Sequence, residues 1–219
     1  MTVTRRSNRQ LGLTIIELLV VVATLGLLVS LLLPRGTKCY KGMAPLTACV
    51  NNLKQVALSE LVWAYDHDST NIFLAQVSTN AGGFRELLSP GSLPHFFRAL
   101  SNELVSPRIL TCPSDGRKPG EDFASLTANH LSYFLNMDAR PNAEAVIHGD
   151  RHITFNPAAH GKLVTVTTNL SLGWTKKTGH ESVGNLAIAD GSVLKTTDRD
   201  LTEYLIAPSR QTVQRLLFP

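Results

Sequence analysis

From Leu13 to Leu33 the chain is apolar apart from Thr14, Glu17, Thr24, Gly26 and Ser30, and only Glu17 is charged. As a helix these positions span about 31 Å at ~1.5 Å per residue, enough to match a hydrocarbon core of about 30 Å. The pattern then changes. Pro34, Gly36, Gly42 and Pro45 punctuate "PRGTKCYKGMAP", and each is poor in a helix interior, which predicts a kinked or partly melted stretch. Beyond it Leu46, Cys49, Val50, Leu53, Ala57, Leu61 and Ala64 recur with i, i+3, i+4, i+7 spacing. This predicts an amphipathic helix, with Asn52, Lys54, Gln55 and Glu60 largely on its outer side.

After "YDHDST" (Tyr65–Thr70), short apolar runs alternate with Gly, Pro, Asn and Asp. "GGFRELL" and "LPHFFRALSNEL" read as short helices. "RILTC", "LSYFLN", "EAVIHG", "HITF", "KLVTVTT" and "NLAIADGSVLKTT" read as strands. In the last, Asp190-Gly191 predicts a two-residue type I′ turn with Ile188 facing Val193. "DRDLTEYL" reads as a short helix opened by Asp198.

Charge adds a leader to this picture. The net charge of the 219 residues is +4, yet without residues 1–12, which hold Arg5, Arg6 and Arg9, 18 basic and 17 acidic side chains remain. The basicity belongs to the N-terminus and implies no nucleic-acid partner. With arginines before the apolar run, the N-terminus is expected on the cytoplasmic side and the body, roughly 150 residues of one domain, outside. An ordinary signal peptide has a shorter apolar core and a small-x-small site, and "LLLPRGTKCYKG" offers none. Lys38 precedes Cys39, which does not suit a lipoprotein. "TRR" is followed by polar Ser-Asn-Arg, unlike an export signal built on twin arginines. Three cysteines, Cys39, Cys49 and Cys112, show no metal spacing; one bridge and one free thiol fit a body in an oxidising compartment.

"RRSNRQLG|LTIIELLVVVATLGLLVSLLLP" resembles the cleavage and methylation segment of type IV pilins and type II secretion pseudopilins. Gly12 stands at the cut, Leu13 is the first mature residue, Glu17 the fifth, and Pro34 falls where these proteins carry a helix-kinking proline. Family members more often begin with Phe than with Leu13. The resemblance implies cleavage after Gly12 and N-methylation of Leu13 by a prepilin peptidase, with Glu17 meeting a neighbour's terminal amine in the assembly. Such a partner would offset a membrane carboxylate, which costs ~2.5 kcal/mol or more for the related Asp; a Glu17 shallow enough to reach the headgroups is the alternative.

A second resemblance lies at the far end. "GHESVGNLAIADG" sets His180 ahead of Asp190-Gly191 as in prepilin-like proteins with an H-X9-DG motif, and "CVNNLKQVAL", "LTCPSD", "LSYFLN" and "IADGSV" agree in order. Together the two imply a pilin-like α+β fold, one long N-terminal helix, half transmembrane, packed on a small antiparallel sheet. The expected layout is a cleaved leader over 1–12 and a transmembrane and assembly helix over 13–33. A kinked segment with an amphipathic helix follows over 34–65, and an extracytoplasmic α+β domain over 66–219.

For the motif itself, a structural turn with His180 bonded to nearby backbone competes with a calcium site built from Asp190 and Asp198 or Asp200. A histidine argues against calcium and mildly for a transition metal. No cofactor is expected, and "HGDRH", with His148, Asp150 and His152, reads as a solvated turn. Cys49 and Cys112 both lie in segments that match the family, so they form the candidate bridge, set against two separately buried thiols.

No enzyme is indicated. Cys112 could be paired with a histidine only on paper, and there is no Gly-x-Ser-x-Gly elbow, phosphate loop, His-Glu-x-x-His or dinucleotide fingerprint. The expectation is a single-pass inner-membrane subunit whose partners are the prepilin peptidase, copies of itself and other pilin-like subunits. A membrane-anchored envelope binding module that does not polymerise is the alternative.

Overall fold

The structure is a computed structural model that describes residues 14–32, 43–139, 144–158, 161–175, 180, 182–206 and 213–219. The chain forms two compact units, Met1–Tyr40 and Lys41–Pro219.

In the first unit, helix α1 covers Ile15–Leu32. Glu17 Oε2 accepts from the Thr14 amide at 2.8 Å and from its hydroxyl at 2.9 Å, while the Glu17 amide donates to Thr14 Oγ1 at 3.3 Å. That reciprocal arrangement is a capping box, satisfying amides that the first turn leaves without partners. Eleven large apolar side chains of α1 are exposed, from Ile15 to Val29. At ~1.5 Å per residue the 18 residues span about 27 Å. Among the described residues no helix is long and apolar enough to cross a membrane.

The long N-terminal helix on a small sheet is therefore corrected. A separate helix, α2, covers Met43–Asp66, and Pro34 and Cys39, like Gly12 and Leu13, lie outside the described residues. The proline and glycine residues read in 34–45 do not favour one uninterrupted helix. Pro45 itself sits in the first turn of α2, where a missing amide costs least.

The second unit is a mixed α/β body whose sheet is large for a pilin. Its strands are β1 (Tyr133–Asn136), β2 (Val146–Asp150), β3 (Ile153–Asn156), β4 (Leu163–Thr167), β5 (Ser171–Trp174), β6 (Gly184–Ile188), β7 (Val193–Thr196) and β8 (Val213–Leu217). Six pair in the order β4-β8-β1-β2-β6-β7, and β3 pairs with β5 in a second, two-stranded sheet. Every pairing is antiparallel. β5 and β8 come from segments not read as strands, and β8, from the C-terminus, lies between β4 and β1. "RILTC" is not a strand: Pro107–Leu110 is a 3-10 turn, with Ser106 Oγ accepting from the Arg108 amide. Proline at the first position favours a helical start. "LPHFFRALSNEL" forms α3 (Leu93–Ala99) and α4 (Ser101–Leu104).

Alternation along the strands divides the interior. Tyr133, Leu135, Ile147, Ala187, Ala189 and Leu217 join the cluster with Cys49, Leu53, Val56 and Ala57 of α2. Phe134, Val146, Leu186, Ile188 and Leu216 join the other, with Leu201 and Leu205 of helix α5 (Asp198–Ile206). With both faces covered, β2 and β6 are buried at every position. In β2 the period-two rule then puts His148 and Asp150 on one face.

Candidate functional site

That face of β2 looks onto α2. Glu60, expected on the outer side of the helix, is 2% exposed. Its Oε1 lies 2.6 Å from His148 Nε2, and its Oε2 accepts from the Leu74 amide at 3.1 Å. His148 Nδ1 is 3.3 Å from the Phe134 carbonyl, so both ring nitrogens face oxygen acceptors. Phe97 lies against the imidazole with ring centroids 5.7 Å apart. Buried polar groups need such partners, and here the pairing ties helix to sheet. Between His148 and Asp150 stands Gly149, where a Cβ would meet Phe134 Cε1 at 2.5 Å and Leu186 Cδ2 at 2.7 Å. Only glycine lets the chain present both polar side chains to one face with Phe134 pressed on the other.

Cys49 and Cys112 are joined by a disulfide with their Cα atoms 4.8 Å apart, both sulfurs in the core. Near it, Asn52 Nδ2 donates to the Thr111 carbonyl at 3.1 Å. His180 is brought to this bridge: its Nε2 lies 3.4 Å from Cys112 Sγ and 3.4 Å from Asp150 Oδ2. The same Oδ2 accepts from the Asn185 backbone amide at 2.8 Å and side-chain amide at 2.9 Å. Burial dominates and pushes the Asp150 carboxyl up to about 7, against the pull of the two Asn185 bonds. Burial likewise pushes the His180 imidazole down, helped by His152 and Lys195.

A second carboxylate, Asp115, stands behind this group. Arg151 grips it through Nε at 2.8 Å and Nη2 at 2.6 Å, and His152 Nε2 lies 2.8 Å from Oδ1. Burial works to raise this carboxyl, but the bonds from His152 and Arg151 outweigh it and hold it well below the usual carboxylate range. "HGDRH" is thus no solvated turn. His148 and Asp150 are buried and His152 nearly so, because each has a partner distant in sequence.

The Asp-Gly turn differs in type from the one expected. Ala187, not Ile188, is opposite Val193. The Ile188 amide donates to the Ser192 carbonyl and the Gly191 amide to the Ile188 carbonyl, both at 2.9 Å. Gly191 has φ of +84°, and Asp190 does not share a positive φ. This is a three-residue loop ending in a left-handed glycine, not a type I′ pair. Asp190 Oδ1 accepts from the Ser192 amide at 2.8 Å. A Cβ on Gly191 would meet Leu58 Cδ2 at 2.8 Å, so the turn also seats against α2. The motif's two ends do not meet at one ligand site: His180 serves the disulfide, and Asp190 the turn.

The other calcium candidates are engaged elsewhere. Asp198 Oδ1 accepts from the Trp174 amide at 2.7 Å. Asp200 accepts from the Thr197 amide and hydroxyl at 2.9 Å, so Thr197, not Asp198, caps α5. Among the described residues, the histidine, cysteine and carboxylate atoms that converge as a ligand set are those of Cys49, Cys112 and His180, all within 4.8 Å of one another.

Comparison with protein families, with curated proteins and with solved structures finds no match.

A functional reading rests on the residues themselves. As built, the group can lock α2, β2 and the segment before β6 together, with the disulfide as its covalent element. Glu17 belongs to the first unit and has a local partner in Thr14 that sequence reasoning passed over. The signal was there as Thr14-x-x-Glu17, the capping-box spacing.

Proposed function

We propose that this chain is a pilin- or pseudopilin-type structural subunit. It is cut after Gly12 by a prepilin peptidase and N-methylated on Leu13. It then assembles with itself and other pilin-like subunits into a type II secretion pseudopilus or a type IV pilus-like fibre. Before assembly it is held in the inner membrane by residues 13–33, with the body on the outer side.

The observation that carries this reading is the uncovered apolar surface of α1, in register with Gly12, Leu13 and Glu17. Ile15 is 80% exposed and Leu27 64%. At about 1.5–3 kcal/mol per large apolar side chain, covering eleven of them is worth roughly 15–30 kcal/mol, less what each already has covered. A surface of that kind calls for lipid or a neighbouring helix. The Cys49–Cys112 bridge supports a body outside the reducing cytoplasm.

Processing is the test. Intact-mass measurement on the membrane fraction should find loss of residues 1–12 and one added methyl group, and Gly12→Val should retain the leader. A full-length chain, or one cut at a small-x-small site, refutes the assignment. Glu17→Gln keeps a side-chain acceptor for the Thr14 cap but loses the charge that pairs with an amine. It should insert normally and crosslink to itself through residues 13–30 far less than wild type. Wild-type membranes with processed chain and no self-crosslinking would favour the non-polymerising module.

A further inference from the structure

We propose that the reduced chain binds one thiophilic divalent metal ion, zinc being the fitting class, through Cys49 Sγ, Cys112 Sγ and His180 Nε2. Two thiolates and an imidazole are a soft donor set suited to zinc, and three protein ligands with one open position make an incomplete tetrahedral site. The spacing agrees. Zn–S of about 2.3 Å and Zn–N of about 2.0–2.1 Å at a tetrahedral angle put sulfur and nitrogen about 3.6 Å apart. Cys112 Sγ and His180 Nε2 are 3.4 Å apart. All three ligand atoms already lie within 4.8 Å of one another. Asp150 Oδ2, 3.4 Å from the same nitrogen, is positioned for the fourth place or for a water there.

The bridge and the metal exclude each other. A dithiol attacks the disulfide through one thiolate, forms a mixed disulfide, and closes on itself as a cyclic disulfide. Two electrons and two protons thereby pass to Cys49 and Cys112 as thiols. The incoming M²⁺ displaces both thiol protons to solvent, and rotation about the Cα–Cβ bonds parts the sulfurs to ligand spacing. His180 ligates as the neutral imidazole, through Nε2. A disulfide oxidant reverses the sequence by exchange: it takes up the two electrons from Cys49 and Cys112 with two protons from solvent, leaves as thiols, and the ion is released as the S–S bond re-forms. Metal uptake here does not require that the chain polymerise.

The probe is cobalt(II) added to the full chain in detergent, in a Cys39→Ser background that removes the third thiol. The chain is reduced with a dithiol, which is then removed under anaerobic conditions. The expected result is one cobalt per chain, with thiolate-to-cobalt charge-transfer absorption, seen only after reduction. His180→Ala should weaken binding at least tenfold, and zinc should raise the melting temperature of the reduced chain with concentration. Equal uptake by the oxidised chain, no charge-transfer absorption after reduction, or unchanged affinity in His180→Ala each overturns the site. So does cobalt binding with circular dichroism of an unfolded chain, since the ligands would then not be those of the fold.

Discussion

Replacing Glu60 by Leu should be among the most damaging single changes in the body. Truncation strands His148 Nε2, now 2.6 Å from Oε1, and the Leu74 amide, now 3.1 Å from Oε2. Glu60 is 2% exposed and His148 0%, so water cannot take the carboxylate's place. Two buried donors left without partners cost about 1–3 kcal/mol each, and breaking one side of a buried ion pair costs about 3–5 kcal/mol. The two estimates converge on roughly 4 kcal/mol. For a body of this size that corresponds to a fall in melting temperature of about 8–16 °C, at 2–4 °C per kcal/mol. The decisive comparison is a double-mutant cycle with His148→Phe, read by thermal melting of the full chain in detergent. With both polar groups gone, an apolar pair beside Phe96 and Phe97 should recover a good part of the loss, because buried ion pairs and apolar replacements of similar volume are often close in free energy. A coupling of about 2 kcal/mol or more is expected. Additive losses in the double mutant, or a Glu60→Leu chain within 1 kcal/mol of wild type, would show that the pair does not tie α2 to β2.

Two further outcomes are expected. Asp150 ionises near 4 in the unfolded chain but at about 7 in the fold, so between those pH values the unfolded state has given up a proton that the folded state keeps. Its contribution is fully present below about pH 4 and lost as pH rises to 7, roughly 4 kcal/mol at most; Asp150→Asn should remove that fall relative to wild type, and parallel melting curves for both chains across the window would contradict it. Gly191→Ala should cost about 1–2 kcal/mol for a side chain at positive φ, plus a contact with Leu58 that Leu58→Ala should relieve; a Gly191→Ala chain as stable as wild type would mean the turn refolds into another type.

Much of the body was legible because its elements announce themselves locally. The helical period from Leu46 gives α2, and short apolar runs between turn residues give β1, β2, β3, β4, β6 and β7. β8 was not, because Gln214 and Arg215 interrupt its apolar positions. Gln214 is nonetheless buried, accepting from Asn136 Nδ2 and donating to the Leu205 carbonyl. The polar face of α2 failed at Glu60 for the same reason: its partner His148 lies 88 residues away, beyond any pattern in a local window. "HGDRH" failed likewise, since Asp115, Glu60 and His180 make its burial affordable only after the sheet has formed. Cys49 and Cys112 could be paired by resemblance, whereas the approach of His180 to their bridge depends on where the chain runs before β6.

The position of the disulfide also sets how the body takes a pull. Cys49 lies only six residues after Met43, where α2 begins, about 9 Å along the helix. Tension entering the body from its N-terminal side therefore passes into a covalent bond before it can peel α2 from the sheet. With the bond closed, the stretch from Cys49 to Cys112, a sequence separation of 63, cannot be drawn out, which removes about 220 Å of extension at ~3.5 Å per residue. The load is handed instead to the segment after Cys112, where Asp115 is clamped by Arg151 and His152. A chain hauled by one end would yield first outside this loop.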